Sequence, residues 1–161
     1  MSDKIQAFNN RVEYGLRALI VLQHAYPNSY DLSELSCLDY LIVHSGDFNS
    51  SLKSLHAPIP NRKQEIYIRR SLLDAGLKLF SQYNLVKPIF LADGIYYQIT
   101  DEGEPFIDSL MEEYTTEVKS RADWAVSNFG GMPVNYLRQI IKESTGTSDL
   151  DIAFHMDGLT E

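Results

Sequence analysis

Apolar residues recur at helical spacing from the start of the chain. Val12, Leu16, Leu19 and Tyr26 share one face between Asn10 and Tyr26, and Leu22 widens it. The spacing predicts a largely buried first helix that Pro27 ends. Glu13 and Arg17 stand four apart, in the favourable order for an ion pair. A second helix opens at Asp31, with Glu34 three residues on in the capping-box pattern. It points Leu32, Leu35, Leu38 and Leu41–Ile42 at a core. Ser45–Gly46 stops it, with Gly46 expected in the left-handed position after the helix. From Asp47 to about Asn61, Ser50, Ser51, Ser54, Pro58 and Pro60 predict an irregular loop. Loops of that length in a compact domain are often functional.

The third helix is predicted from about Lys63 to Tyr83 and has two apolar sides. Ile66, Leu73, Leu77 and Phe80 form one; Ile68, Leu72, Ala75 and Leu79 form the other. A polar arc holds Lys63, Arg70, Asp74 and Lys78. Such a helix is central to its own domain or packs on a partner as well. Leu85 to Ile99 reads as a β-hairpin, with Val86, Ile89, Phe90 and Leu91 on one strand and Ile95, Tyr96, Tyr97 and Ile99 on the other, turned by Asp93–Gly94. Thr100 or Asp101 caps the next helix. The apolar line Phe106, Leu110, Tyr114, Val118, Ala122, Ala125 and Phe129 predicts that it runs unbroken from Asp101 to about Asn128, roughly 40 Å. Gly130–Gly131 breaks it, and Pro133 starts a further helix that continues through Ser144 and ends at Gly146. Beyond, Leu150, Ile152, Phe154 and Met156 alternate with Asp151, Ala153, His155 and Asp157, a strand period.

The expected fold is therefore α+β and mainly helical. Residues 1–100 form a winged helix-turn-helix core with a two-stranded wing. Residues 101–161 form a long helix, a C-terminal helix and an extended tail, packed on or extending from the same domain. The wing exit, Tyr97-Gln98-Ile99-Thr100-Asp101-Glu102-Gly103, resembles that of many winged-helix proteins.

Charge alters this picture. The net charge is −8 over 161 residues, a poor starting point for a stand-alone nucleic-acid binder. It is also uneven: residues 1–100 carry ten basic and nine acidic residues, and residues 101–161 carry four basic and thirteen acidic. The two parts are expected to meet different partners. One cysteine excludes an intrachain disulfide framework. The opening MSDKIQAFNN lacks the apolar core of a signal peptide and no apolar run spans a bilayer, so a cytoplasmic, membrane-free protein is expected.

Candidate chemistry is sparse. His44-Ser45-Gly46-Asp47 has the residue types of a hydrolytic triad, but neighbours on a helix point apart, and Asp39 lies five residues from His44 on another face. A helix end accounts for this stretch. His24, His44, His56 and His155 are scattered, with no metal-ligand spacing and no glycine-rich phosphate loop, so no metal, cofactor or catalytic site is expected. Cys37 reads as a packed residue. The basic residues Lys53, Arg62, Lys63, Arg70 and Lys78 are candidates for sequence-independent phosphate or DNA contacts. Asp74 lies among them, and no Asn or Gln cluster is present to read bases. Ile68, Leu72 and Leu79 of the third helix and Leu150, Ile152, Phe154 and Met156 of the tail are candidates for partner docking.

Several stretches resemble one family. They are Asn10-Arg11-Val12-Glu13-Tyr14-Gly15-Leu16-Arg17-Ala18-Leu19, Leu38-Asp39-Tyr40-Leu41-Ile42-Val43-His44-Ser45-Gly46-Asp47, Ser54-Leu55-His56 with Pro58, Pro60 and Arg62, Arg69 through Leu77, and Arg121-Ala122-Asp123-Trp124. Together they are similar to the middle component of bacterial ABC three-component conflict systems, the group that includes Lamassu-type antiphage defence. The resemblance implies a non-enzymatic accessory subunit built on a winged helix. It implies two partners, an SMC- or Rad50-like ABC ATPase subunit and an effector subunit, often a nuclease, with ATP hydrolysis and DNA cleavage assigned to them. The alternative reading is a stand-alone winged-helix transcription regulator, which predicts sequence-specific DNA binding by the isolated protein.

Overall fold

The computed structural model describes residues 10–56 and 62–145, with side chains for 10–56 and 68–144. Helix α1 spans Arg11–Ala25. The Asn10 side chain accepts from the Glu13 N–H at 3.0 Å and so satisfies one of the donors a helix start leaves open. Strand β1, Tyr30–Asp31, leads directly into α2, Leu32–Val43. The capping box is present in full. The Asp31 carboxylate accepts from the Glu34 N–H at 2.8 Å, and the Glu34 carboxylate accepts from the Asp31 N–H at 3.2 Å.

A single 3-10 turn, Ser45–Asp47, follows α2. The left-handed glycine expected at Gly46 is not there; among the described residues positive φ occurs at Asn84 and Gly94. Gly46 is required for space instead. The loop folds back so that the Gly46 N–H donates to the Ser54 hydroxyl at 3.0 Å, and a Cβ at Gly46 would sit 2.8 Å from that oxygen.

Helix α3 spans Arg62–Gln82, followed by β2, Val86–Leu91, and β3, Gly94–Ile99. The hairpin register runs from Val86↔Ile99 to Leu91↔Gly94. The two turn residues are therefore Ala92 and Asp93, one position earlier than the sequence suggested. Gly94 opens β3 at φ +149, a conformation L side chains rarely adopt. The short β1 pairs antiparallel with β3, Tyr30 with Tyr97 and Asp31 with Tyr96, giving a three-stranded sheet of order β1-β3-β2.

The unbroken helix expected from Asp101 to Asn128 is two helices, α4 at Gly103–Asp108 and α5 at Glu113–Phe129. The Thr100 hydroxyl accepts from the Gly103 N–H at 3.1 Å and starts α4. At its end the Ser109 hydroxyl donates to the Phe106 carbonyl at 2.6 Å, and the Leu110 N–H donates to the Ile107 carbonyl at 3.0 Å. These local bonds replace the next helical turn. The Lys119 ammonium then holds the Leu110 carbonyl at 2.9 Å. The break gives each segment its own rotation, so that Ile107 of α4 and Val118, Ala122 and Ala125 of α5 all reach the core. Helix α6, Val134–Thr145, opens with the Pro133 carbonyl accepting from the N–H groups of Tyr136 and Leu137. Gly146 and the alternating tail lie outside the described residues.

The protein is mainly helical with one small antiparallel sheet. Its core is centred on α1 and α2. Leu19, Ile20 and Leu22 meet Leu35, Leu38, Leu41 and Ile42, and Leu73 and Leu77 of α3 close one side. Val12 and Tyr26, which share the apolar face drawn for α1, are exposed near its two ends. Helices α1 and α3 cross at Gly15 and Gly76 with backbone against backbone. Among the described residues no helix is long and apolar enough to cross a membrane.

Candidate functional site

The strongest concentration of polar groups is inside the protein. Arg17 of α1 donates from Nε to Asp39 Oδ1 at 2.6 Å and from Nη2 to Oδ2 at 3.2 Å. Arg69 of α3 donates from Nη1 to the same Oδ2. All three residues are about 1% exposed. The Arg17 guanidinium also lies over the Tyr14 ring, 4.4 Å from its centroid, and donates to the Tyr114 hydroxyl of α5 at 3.2 Å. Arg69 lies over Tyr40 of α2 at 5.4 Å. His56, from the loop, stacks on Tyr114 and places Nε2 2.9 Å from its hydroxyl. Four helices and the loop thus meet around one buried charge cluster.

These buried charges shift one another. Burial alone would raise the Asp39 carboxyl, but Arg17 and Arg69 hold it below the usual range. Burial would lower Arg17, and Asp39 reverses that and raises it. The pairing of Arg17 with Glu13 expected from their spacing is thus not the main one: Arg17 is turned inward to Asp39. Burial raises the Glu13 carboxyl, with Arg17 opposing. A carboxylate with both oxygens held by two guanidinium groups is a structural clasp, and its lone pairs are not available for general-base work.

His56 is held down to about 4 from 6.5, first by burial and then by the positive charge of Arg17. The sign of its pH effect follows. Between 6.5 and about 4 the unfolded chain binds a proton that the folded chain refuses, so stability falls as pH is lowered through that window and is level above it. The His56→Gln variant is expected to lose this part of the slope. Urea midpoints measured across the window test it, and an unchanged slope would contradict the burial of His56.

The stretch with triad residue types is a helix end. His44 is buried against Tyr40, with ring centroids 4.7 Å apart, and the Ser45 hydroxyl donates to the Lys53 carbonyl at 3.3 Å. Burial pushes the Cys37 thiol up to about 12, in keeping with a packed residue. Among the described residues no group of three or more His, Cys, Asp or Glu is placed to hold a metal ion.

The surface candidates are dispersed. Lys53 is exposed on the loop, and its carbonyl is gripped by the Arg121 guanidinium at 3.1 and 3.3 Å. Arg70 donates to the Ser33 hydroxyl of α2 at 3.0 Å, and Lys78 pairs with Asp74 at 2.8 Å on its own helix. Arg62 and Lys63 lie in α3 with side chains outside the described set. Ile68 is exposed, whereas Leu72 and Leu79 are half-buried and Leu72 packs on the core. Leu150, Ile152, Phe154 and Met156 fall outside the described residues.

One surface was not singled out from sequence. Phe90, Leu91 and Ile95, at the tip of the β2–β3 hairpin, are 74%, 53% and 47% exposed. Phe90 is paired with Ile95, on the sheet face that also carries Pro88 with Tyr97 and Val86 with Ile99. Val86, Tyr97 and Ile99 are buried, so the core-facing row runs on past the edge of the core and ends in solvent. The consecutive apolar residues Ile89, Phe90 and Leu91 carried the signal. Successive strand residues point to opposite faces, and one small core covers only one of them.

Fold and surface together define a small helical protein, clasped inside by a buried charge cluster and apolar at its sheet tip. Its family is shown by sequence. Residues 7–150 match the family described as ABC-three component (ABC-3C) system Middle Component 2, and the chain belongs to that family. A middle component of a multi-component system implies partner subunits. No curated protein and no solved structure matches the chain.

Proposed function

We propose that this chain is a non-enzymatic, cytoplasmic adaptor that docks an SMC/Rad50-like ABC ATPase to an effector, often a nuclease, in a Lamassu-type antiviral or anti-plasmid complex. Membership of the middle-component family carries the reading. The element order helix, strand, helix, helix, strand, strand, with the sheet order β1-β3-β2, supports a winged-helix core over residues 1–100 that places α3 as its third helix. Residues 101–161 form the acidic appendage, suited to basic protein surface. In this account Ile68, Leu72, Leu79 and the tail residues Leu150, Ile152, Phe154 and Met156 contribute to docking. Any contact of Lys53, Arg62, Lys63, Arg70 and Lys78 with DNA is non-specific and made within the complex. The ion pair of Lys78 with Asp74 favours this over base reading.

Titration of the isolated chain with duplex DNA separates the adaptor from a transcription regulator. The adaptor binds weakly and equally to unrelated sequences, and added salt removes the binding. Tight binding to one operator sequence would favour the regulator. For the tail, Ser at Leu150, Ile152, Phe154 and Met156 together is expected to weaken the assembled complex; unchanged assembly would remove the tail from the docking surface.

A further inference from the structure

The sheet has a second face, and the strand register defines it. Tyr30, Val86, Tyr97 and Ile99 turn to the core. The residues between them turn outward, because side chains alternate along a strand. Asp31, Tyr96 and Ile89 stand in one outward row across the three strands. Leu91 shares that face on the side of the turn, and Lys87 with Gln98 on the other side. None of these residues is buried: Leu91 is exposed, and Ile89 and Tyr96 are half-buried.

Negative charge lies on this same face. The Tyr96 hydroxyl donates to Asp93 Oδ2 at 2.7 Å, which brings the turn carboxylate to the outward side. Asp31 belongs to the row itself and forms the α2 cap with Glu34. The cap takes one oxygen of each carboxylate and leaves both charges in place. Tyr96 feels all three groups: the hydrogen bond to Asp93 first, with the charges of Asp93, Asp31 and Glu34 adding to it, pushes its hydroxyl up to about 12.

We propose that the outward face of the sheet, centred on Tyr96, docks a basic amphipathic segment of a partner subunit. Apolar side chains of that segment pack on Ile89, Leu91 and the Tyr96 ring, and its lysine or arginine residues face Asp31, Glu34 and Asp93. The proposal rests on the adaptor reading above and gives it a surface and a partner chemistry. Charge complementarity selects the occupant, because three carboxylates around the apolar row repel nucleic acid and a second acidic copy of this chain alike. Lys87 stands at the opposite end of the face from the turn and sets the direction of the segment, with its basic residues toward Asp93. Strand addition to β2, an edge strand, is disfavoured, because Pro88 midway along it has no N–H to offer a neighbour. Recognition is accordingly by side chains, an apolar anchor with a charged rim.

The experiment uses the complex of the full chain with the products of its neighbouring genes. Three variants are compared with the parent: Ile89→Ser with Leu91→Ser on the outward face, Asp93→Lys at its rim, and Phe90→Ser on the opposite face. An unchanged thermal melt verifies the fold of each. The double serine variant is expected to weaken association about tenfold or more, and Phe90→Ser to leave it unchanged. Raising NaCl from about 50 to about 300 mM weakens the parent complex, and Asp93→Lys gives a weaker complex with a shallower salt dependence. A complex that the double variant leaves intact, or that Phe90→Ser weakens more, overturns this inference and spares the adaptor reading. A complex indifferent to both salt and Asp93→Lys overturns the basic chemistry of the partner. A double variant that loses a homodimer or duplex binding instead gives the face to a second copy or to nucleic acid and overturns the proposal. Absence of any complex with the parent chain overturns the adaptor reading and this inference with it.

Discussion

Replacing Asp39 with alanine is expected to destabilise the fold by about 3–5 kcal/mol, the usual result of removing one partner from a buried charge cluster. The carboxylate is shared by Arg17 and Arg69, each about 1% exposed. Without it two guanidinium groups face each other in the core. Total stabilities of small domains are about 5–15 kcal/mol, so the loss consumes a large fraction of what holds this fold. Urea denaturation followed by circular dichroism measures it. Asp39→Asn separates charge from shape, keeping the volume and removing the negative charge. A triple replacement of Arg17, Asp39 and Arg69 by Met, Leu and Leu is expected to recover much of the loss, because a well-packed apolar cluster avoids the desolvation of three ions. The pH dependence carries the same sign. The folded carboxyl is held below its ordinary value, so its contribution is complete above the ordinary carboxylate range. It is lost as pH falls through the lowered value. Asp39→Asn should lack that part of the acid limb. An Asp39→Ala protein within about 1 kcal/mol of the parent would contradict the clasp.

The second large effect is expected at Gly76. A Cβ there would lie 2.4 Å from the Arg11 carbonyl oxygen and 2.7 Å from the Gly15 nitrogen, both backbone atoms of α1 or its first turn. Side chains can rotate away from an intruding methyl, but a helix backbone must move as a whole. Alanine normally favours a helix over glycine by about 1 kcal/mol, so the sign of the result is informative. Here Gly76→Ala is expected to destabilise by about 1–3 kcal/mol, and Gly76→Val by more, as α1 and α3 separate. The Phe80 ring that closes over Gly15, 2.6 Å from a hypothetical Cβ there, would shift with them. A Gly76→Ala protein more stable than the parent would contradict the close crossing.

How much of this could be read from the chain divides along sequence distance. The Asp31–Glu34 capping box, the ends of α1 and α3 and the hairpin are set within a few residues, and they were legible within a residue or two. The β1 strand was not. It has two residues, and its pairing with Tyr96 and Tyr97 is made by the fold, not by any alternation of its own. The break between α4 and α5 was hidden because the apolar line continued through Leu110. What ended the helix was a serine hydroxyl bonded to its own turn and a lysine bonded back to a carbonyl. The clasp joins residues 22 and 30 positions apart. It nonetheless left a trace: Arg17 interrupts the apolar run of α1, and Asp39 interrupts that of α2. A charge set within the apolar run of each of two buried helices indicates that the two charges meet. The hairpin tip showed the converse, three apolar residues in a row where one face had nothing to cover it.

The chain's acidity takes its meaning from this arrangement. The excess lies after residue 100, and Arg17, Asp39 and Arg69 meet inside. The proposed adaptor role turns that acidity toward protein partners. The most direct measurement is native mass spectrometry of the full system, co-expressed from its own gene cluster and purified through a tag on this chain. The account predicts a stable assembly containing this chain, an ABC ATPase and the effector. A chain recovered alone or as a homodimer, with the ATPase and effector assembling without it, would contradict the account.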